Sequence, residues 1–260
     1  DNSKSIAELR AIAQNPLSPT LSVPLKYSYH GGANRGGVSV LNLKPIFPVA
    51  LSGDWNLINQ LSLNFIDTPG GVTGIHGLPN PYVKDAAVGP EGATGLADLN
   101  FTSLLSPIPN SEVTWGVGAT ITMPSDAPSR ELGSGKFSVG PAAALIMQTE
   151  AWTLGLQGNH IWSIVGSEGR KDVSQMQLKP VINYNLPNGW YLLSNMEVIG
   201  NWKAAKNEKW TVPVGAGLGK TFAIGSYKIN SSLEGYYNIV RPGEAPDWSM
   251  GTTIQMIFPE

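Results

Sequence analysis

Residues 113–123 read Val-Thr-Trp-Gly-Val-Gly-Ala-Thr-Ile-Thr-Met. In this stretch every odd-numbered residue is apolar, and every even-numbered residue is threonine or glycine. Side chains alternate between the two faces of a β-strand. The stretch therefore predicts a strand with one apolar face and one face of small, weakly polar residues.

The same alternation recurs along most of the chain, in segments of about ten residues or slightly more. They lie at 21–29, 37–51, 55–66, 95–105, 112–123, 136–147, 152–165, 174–186, 190–202, 209–222, 227–240 and 248–258. A tilted strand needs roughly 9 to 11 residues to cross the hydrocarbon layer of a membrane, whereas strands of soluble sandwiches have about 5 or 6. The sequence predicts an all-β fold, a transmembrane antiparallel up-and-down β-barrel of about 12 strands.

The composition agrees with a membrane barrel and narrows the classes of partner. Hydrophobic residues make up 42% of the 260 residues and charged residues only 14%, against roughly 25% charged residues in soluble domains. No apolar run reaches the roughly 18 residues of a membrane-spanning helix, so a helical membrane protein is excluded. A net charge of -2 gives no basic field for nucleic acid. Without cysteine we expect no disulfide and no zinc-thiolate site, and we expect no cofactor.

The connections between the predicted strands alternate between short and long. The short ones are 52–54, 106–111, 148–151, 187–189 and 223–226, and the long ones are 30–36, 67–94, 124–135, 166–173, 203–209 and 241–247. Short periplasmic turns and long extracellular loops are typical of outer-membrane barrels. We therefore predict an outer-membrane protein of a Gram-negative bacterium, with both termini in the periplasm.

Aromatic residues gather at the ends of the predicted strands. Trp55, Trp152 and Trp190 lie beside short turns, and Trp162 and Trp248 lie beside long loops. Aromatic rings concentrate at the two membrane–water interfaces, so the pattern predicts two girdles. The alternative is that these rings form the core of a soluble sandwich.

Residues 1–18 have a different pattern. Ile6, Leu9 and Ile12 fall at helical spacing, and Asn15-Pro16 ends it. We predict a short N-terminal helix that either plugs the lumen, with Arg10 near lumen carboxylates, or lies in the periplasm. The barrel then comprises residues 19–260, and any signal peptide is expected to have been removed before Asp1.

The face opposite the apolar one should line the lumen, so we expect functional residues on it. It carries amides and a few charges of both signs: Asn42, Lys44, Asn64, Asp98, Asn100, Gln177, Lys179, Glu197, Lys228 and Glu234. These side chains suit a passage for a small solute, or they form an internal network in which the charges pair with one another.

The predicted extracellular loop 67–94 is too long for a simple hairpin, and loops of this length are usually functional or disordered. It contains His76 and Tyr82. We expect the loop to fold inward, so that these two residues and Arg10 constrict the pore. The alternative is a mobile surface loop.

Catalysis has little support in the sequence. Only His30, His76 and His160 could act as general bases. His160 is predicted on the apolar face, and the nearby Ser163 on the opposite face. The glycine-rich stretch 215–220 lacks the spacing of a phosphate-binding loop and is predicted to be small inward residues of a strand. We predict that the protein is not an enzyme.

Several stretches carry a family resemblance. They are Asn15-Pro16-Leu17, Gly53-Asp54-Trp55-Asn56-Leu57, Leu132 to Lys136 running into Gly140-Pro141, Ile182 to Leu192, Trp210 to Lys220, Tyr236 to Pro242, Pro246-Asp247-Trp248 and the C-terminal Gly251 to Phe258. Together they resemble the Gram-negative outer-membrane channel family related to the meta-pathway phenol-degradation protein (MetA-like), some of whose members are labelled neuromedin U. The resemblance implies a narrow barrel of about twelve strands that passes small, hydrophobic molecules, and it implies no binding residues.

The function predicted from all these features is an outer-membrane channel for passive diffusion of small, hydrophobic or aromatic, organic molecules. The expected partners are outer-membrane lipids and a small-molecule solute, and the channel is expected to be a monomer. The alternative is a closed structural or adhesive barrel that binds partners through its extracellular loops.

Overall fold

A computed structural model describes residues 4–76, 78, 91–108, 111–125 and 131–259. Within them, one helix precedes fifteen strand segments. These elements are α1 (Ile6–Gln14), β1 (Leu21–Gly31), β2 (Val38–Leu43), β3 (Ile46–Ala50), β4 (Trp55–Thr68), β5 (Ala93–Leu96), β6 (Leu99–Pro107), β7 (Val113–Met123), β8 (Lys136–Gln148), β9 (Trp152–Gly166), β10 (Ser174–Asn185), β11 (Trp190–Ser194), β12 (Val198–Asn201), β13 (Trp210–Ile224), β14 (Tyr227–Val240) and β15 (Trp248–Phe258).

The fifteen segments make a closed antiparallel barrel of twelve strands, because three of the strands are interrupted. The interrupted strands consist of β2 with β3, β5 with β6, and β11 with β12. Each strand pairs with its neighbours in sequence. The first strand, β1, pairs with the last, β15, from Leu21 opposite Phe258 to Gly31 opposite Trp248. The predicted fold class, including the short N-terminal helix, is confirmed.

The two faces of the barrel wall differ as the alternation predicts. Large apolar side chains such as Val117, Leu145 and Leu233 are exposed on the outer face. On the inner face, polar side chains such as Thr120 and Gln60 are almost completely buried. An apolar exterior around a polar interior is the arrangement required of a barrel in lipid.

Aromatic pairs lie at both ends of the strands. At the rim that carries the short turns, the rings of Trp152 and Tyr184 are 4.7 Å apart. At the rim that carries the long loops, the rings of Tyr29 and Trp248 are 5.7 Å apart, and those of Trp202 and Trp210 are 5.6 Å apart. These pairs form the two predicted girdles. None of the described helical segments has the length and apolar character needed to cross a membrane.

The interruptions have physical causes that can be followed along the backbone. Between β2 and β3 lies Lys44-Pro45, and proline has no N–H to donate to a ladder. Residues 195–197, between β11 and β12, have no ladder partner. The facing parts of the neighbouring strands contain Pro180 and Pro213. At both places the regular ladder is broken, and the charged residues Lys44 and Glu197 stand at the interruptions.

Two apolar clusters lie inside the barrel, near opposite rims. One packs Leu17, from the segment that follows α1, against Ile58, Leu104 and Ile146. The other packs loop residues Val72, Ile75 and Leu78 against the strand residues Val38, Val40 and Ile66. It also includes Ala97, between β5 and β6, and Leu132 of a further loop. The lumen is thus filled near each rim by residues outside the main strands.

Candidate functional site

A cavity of about 370 Å³ lies in the lumen. Ala13, Gln14 and Pro16 line it on the side of α1, and Gly74, Ile75 and His76 line it on the side of the long loop. Its volume falls near the lower end of the roughly 300–1,000 Å³ typical of small-molecule sites. Apolar side chains and charged groups both line the wall, so the cavity can contact both parts of an amphipathic molecule.

The helix beside the cavity begins with a capping box. Ser5 accepts a hydrogen bond from the backbone N–H of Glu8 at 3.2 Å, and the Glu8 carboxylate accepts one from the backbone N–H of Ser5 at 2.7 Å. These bonds satisfy two backbone donors that a helix start leaves unpaired. The bond from the Ser5 backbone is the main reason that the pKa of Glu8 is lowered.

Side chains of α1 and of the residues after it bind the barrel rim. Arg10 Nη1 donates to the carbonyl oxygens of Leu186 at 2.7 Å and Trp190 at 3.0 Å. Gln14 donates to Asn185 at 3.1 Å, and Gln148 donates to the carbonyl of Ala11 at 2.9 Å. Arg10 therefore binds backbone carbonyls at the rim, and its expected position near lumen carboxylates stays a prediction. Burial lowers its pKa.

On the opposite side of the cavity, the described part of the long loop enters the barrel. The N–H of Thr73 donates to the carbonyl of Glu244 at 3.3 Å. Gly74 has a φ of +74°, and a Cβ there would lie 2.6 Å from Thr211 Oγ1, so this close approach requires glycine. His76 follows, with Nδ1 3.7 Å from Glu197 Oε1. Tyr82, the other predicted constriction residue of this loop, lies outside the described residues.

The predicted charged residues meet around the cavity. Lys179 Nζ lies 3.5 Å from Glu197 Oε2, and the amide of Gln177 also donates to Glu197. Lys26 forms an ion pair with Glu234. In the part of the chain that the structure describes, Lys44 lines the cavity without a carboxylate within salt-bridge distance.

The predicted amides form short networks along the wall. Asn42 Nδ2 donates to Asn64 Oδ1 at 2.8 Å, and both residues line the main cavity. Asn100 donates to the hydroxyl of Thr122 at 3.0 Å. Together with Gln177, Asn100 lines a smaller adjoining space of about 20 Å³. This space is too narrow for a solute but continues the polar wall.

Two of the predicted charged lumen residues lie away from the main cavity. Asp98 accepts hydrogen bonds from the backbone N–H groups of Ser125 at 3.1 Å and Ser134 at 2.8 Å, so it ties the connection between β7 and β8 to the wall. Lys228 lies near the turn before β14 and does not line the main cavity. Charge on the inner face alone therefore does not place a residue at the cavity.

The cavity is also lined by Lys26, Tyr191 and Tyr236, which are not among the predicted lumen residues. Tyr236 donates to Glu234 Oε2 at 3.0 Å. The tyrosines fit inside because β13 carries glycines on its inner face: a Cβ at Gly219 would collide with the ring of Tyr191. In the sequence, the inward glycines of β13 were the feature that could have indicated large inward side chains on the neighbouring strands.

A histidine–serine pair lies on the outer face of the barrel. His160 Nε2 is 3.1 Å from Ser174 Oγ, and the imidazole packs 4.3 Å from the Trp162 ring. The partner of His160 thus comes from the neighbouring strand. Across the described ranges, no carboxylate or amide hydrogen-bonds the other nitrogen of this ring, and no group of three or more acidic, histidine or cysteine residues could hold a metal ion.

Comparisons with known proteins support the fold. The chain is similar to the crystal structure of the COG4313 outer membrane channel from Pseudomonas putida F1, with a TM-score of 0.64, 17% identity and coverage of 93% of this chain and 97% of that one. It is also similar to the NanC porin, with a TM-score of 0.53, 11% identity and coverage of 92% and 100%. For outer membrane phospholipase A from Escherichia coli, the TM-score is 0.45, the identity is 12%, and 96% of each chain is covered. No family model matches, and no curated protein matches either. Structural neighbours of this chain thus include outer-membrane channels, and at these identities the likeness establishes the barrel.

Proposed function

We propose that this protein is a monomeric channel in the outer membrane of a Gram-negative bacterium, with both termini in the periplasm, and that it allows passive diffusion of small, hydrophobic or aromatic, organic molecules. The observation that carries the proposal is the lumen cavity, which lies between α1 and the long loop and combines polar groups with apolar ones. Solved neighbours that are channels support the same function.

In this proposal the N-terminal segment plugs the lumen from the periplasmic side, and loop 67–94 narrows it from outside. The hydrogen bonds of Arg10 and Gln148 support the first part. The packing of Val72 and Ile75 inside the barrel supports the second. Transport then requires only that these segments move or leave a path, since no chemical step is involved.

Reconstitution of the full chain in planar bilayers and in liposomes tests the proposal. We expect discrete current steps, and we expect uptake of a small aromatic solute such as phenol at a rate that depends on the protein. A variant that lacks residues 4–18 should conduct more than the full chain, because the cavity then opens toward the periplasm. A folded barrel that passes neither ions nor phenol, with or without this segment, would refute the channel.

The second candidate is a closed structural or adhesive barrel. The ion pairs Lys26–Glu234 and Lys179–Glu197 favour it, because paired lumen charges stabilise an interior without a solute. The same bilayer experiment separates the two candidates. The closed barrel predicts no current, and it predicts that the long loops bind an external partner.

We further propose that the chain performs no catalysis and that His160 is a residue of the aromatic girdle. Its ring packs against Trp162, and a nucleophile–base pair generally needs a third group that orients the base. Separate alanine substitutions of His160 and Ser174 test the point against phospholipid vesicles. If the wild-type barrel releases fatty acid and either substitution abolishes that release, the protein is an enzyme.

A further inference from the structure

An irregularity of the barrel wall places Lys44 at the cavity. Lys44 stands between β2 and β3, where its N–H donates to the carbonyl of Pro24 at 3.0 Å, and Pro45 interrupts the ladder after it. Asn42 and Ile46, two residues before and two after, also line the cavity. The position of Lys44 is therefore set by main-chain geometry.

Among the described residues, the lysines that line the cavity outnumber its carboxylates. Its lysines are Lys26, Lys44 and Lys179, and its carboxylates are Glu197 and Glu234. Lys26 pairs with Glu234 and Lys179 with Glu197, which leaves the ammonium group of Lys44 without a carboxylate within salt-bridge distance among the residues that the structure describes. A half-buried positive charge away from bulk water is stabilised by an anionic partner.

A second polar group of the wall also lacks a partner. The side chain of Asn183 is 1% exposed and lines the cavity. Neither its nitrogen nor its oxygen has a hydrogen-bond partner within the described residues. Buried amides are normally hydrogen-bonded, so Asn183 has hydrogen-bonding capacity that no described residue uses.

The rest of the wall contributes apolar surface. Val40, Ile46, Val181 and Ile199 line the same cavity. A site with apolar walls and a few placed polar groups suits a small organic molecule better than an inorganic ion.

We propose that the cavity binds a small organic monoanion, an aromatic or aliphatic carboxylate, whose charge pairs with Lys44, whose polar atoms meet Asn183 and whose apolar body contacts the aliphatic wall. This inference rests on the proposed channel function, because it names the class of solute that the channel selects. An inorganic anion offers the same charge without the apolar body, and the test distinguishes the two.

Equilibrium binding to the purified full chain in detergent tests the site without transport. The radiolabelled probe is benzoate, and competition is measured with benzyl alcohol, benzylamine, acetate and chloride. We expect benzoate to bind at least tenfold more tightly than benzyl alcohol, which has the same ring without the charge, and more tightly than acetate or chloride, which lack the ring. Benzylamine should not compete.

Three substitutions identify the groups involved. Lys44→Gln should abolish the preference for benzoate over benzyl alcohol, and Asn183→Leu should weaken benzoate binding severalfold. Lys228→Gln is the matched control, because it removes an inward lysine that does not line the cavity. It should leave binding unchanged. Heat-dependent migration on gels shows that each variant is a folded barrel.

Equal binding of benzoate and benzyl alcohol by the wild type would overturn the proposal, and so would unchanged benzoate binding after Lys44→Gln. Chloride that competes as well as benzoate would reduce the site to one for inorganic anions and would also overturn it. The channel can fail separately: a barrel that binds benzoate but passes neither ions nor solutes keeps the site and refutes the channel. A barrel that conducts but shows no preference for benzoate refutes the site and keeps the channel.

Discussion

A single buried leucine tests whether α1 is held in the barrel mouth. Leu9 has 0% of its surface exposed and precedes Arg10, whose guanidinium binds the carbonyls of Leu186 and Trp190. A buried leucine changed to alanine costs about 2–5 kcal/mol. Alanine is at least as good a helix former as leucine, so Leu9→Ala weakens the docking of the helix and leaves the helix itself intact.

Trypsin measures this docking, because cleavage after Arg10 requires its side chain to leave the rim. A loss of about 2 kcal/mol raises the undocked fraction roughly 30-fold, at about 1.4 kcal/mol for each factor of ten. The cleavage rate follows that fraction when redocking is fast. We therefore expect Leu9→Ala to be cut after Arg10 roughly 30-fold faster than the wild type or more, measured by intact mass in detergent.

The control is Leu25→Ala, which makes the same change at a 42% exposed position of β1. Its cleavage rate should equal that of the wild type. If Leu9→Ala and the wild type are cut at the same rate while both barrels stay folded, Leu9 does not hold the helix, and our account of the docking is wrong.

Three further predictions concern the wall and the loop. Gly219→Val should force Tyr191 from its place and destabilise the barrel by about 1–3 kcal/mol, seen as a lower urea midpoint by tryptophan fluorescence; an unchanged midpoint would contradict the packing. Glu234→Gln should free Lys26 and shift the reversal potential in a salt gradient toward anion selectivity, and a shift toward cations would contradict the charge assignment. The pKa of His76 is lowered, chiefly by burial and against the opposing effect of the neighbouring glutamate, so the docked loop favours the neutral ring. Acidification from about pH 6.5 should therefore undock the loop and raise conductance, and His76→Gln should remove this pH dependence.

The strands could be predicted from the sequence because lipid and lumen impose opposite demands on alternate residues. That alternation assigns every residue of a continuous strand to a face, and it gave Lys44 and Glu197 an inward position. It also suggested continuous strands where the barrel has interruptions. Pro45 indicates the interruption between β2 and β3 in the sequence itself. Residues 195–197 contain no proline, and they interrupt the ladder opposite prolines on both neighbouring strands.

The contacts of the site were harder to predict, because they join residues far apart in the chain. Nothing near Lys44 in sequence indicates that its charge has no salt-bridge partner in the described part of the chain, where the carboxylates of the cavity pair with other lysines. The same holds for His160, whose hydroxyl partner is Ser174 on the next strand and not Ser163 close by. Pairing between strands depends on register, which bulges and loop lengths set.

The partners of α1 have a consequence for the order of assembly. The helix is synthesised before its partners in the barrel, yet its hydrogen bonds join it to Gln148, Asn185 and Trp190, which are made much later. The pairing that closes the barrel also forms late, because β1 pairs with β15, which is synthesised after the other strands. A segment made before all the strands is therefore among the last to reach its place. Until then the strands must be kept apart from other chains, while the helix stays outside an unfinished wall.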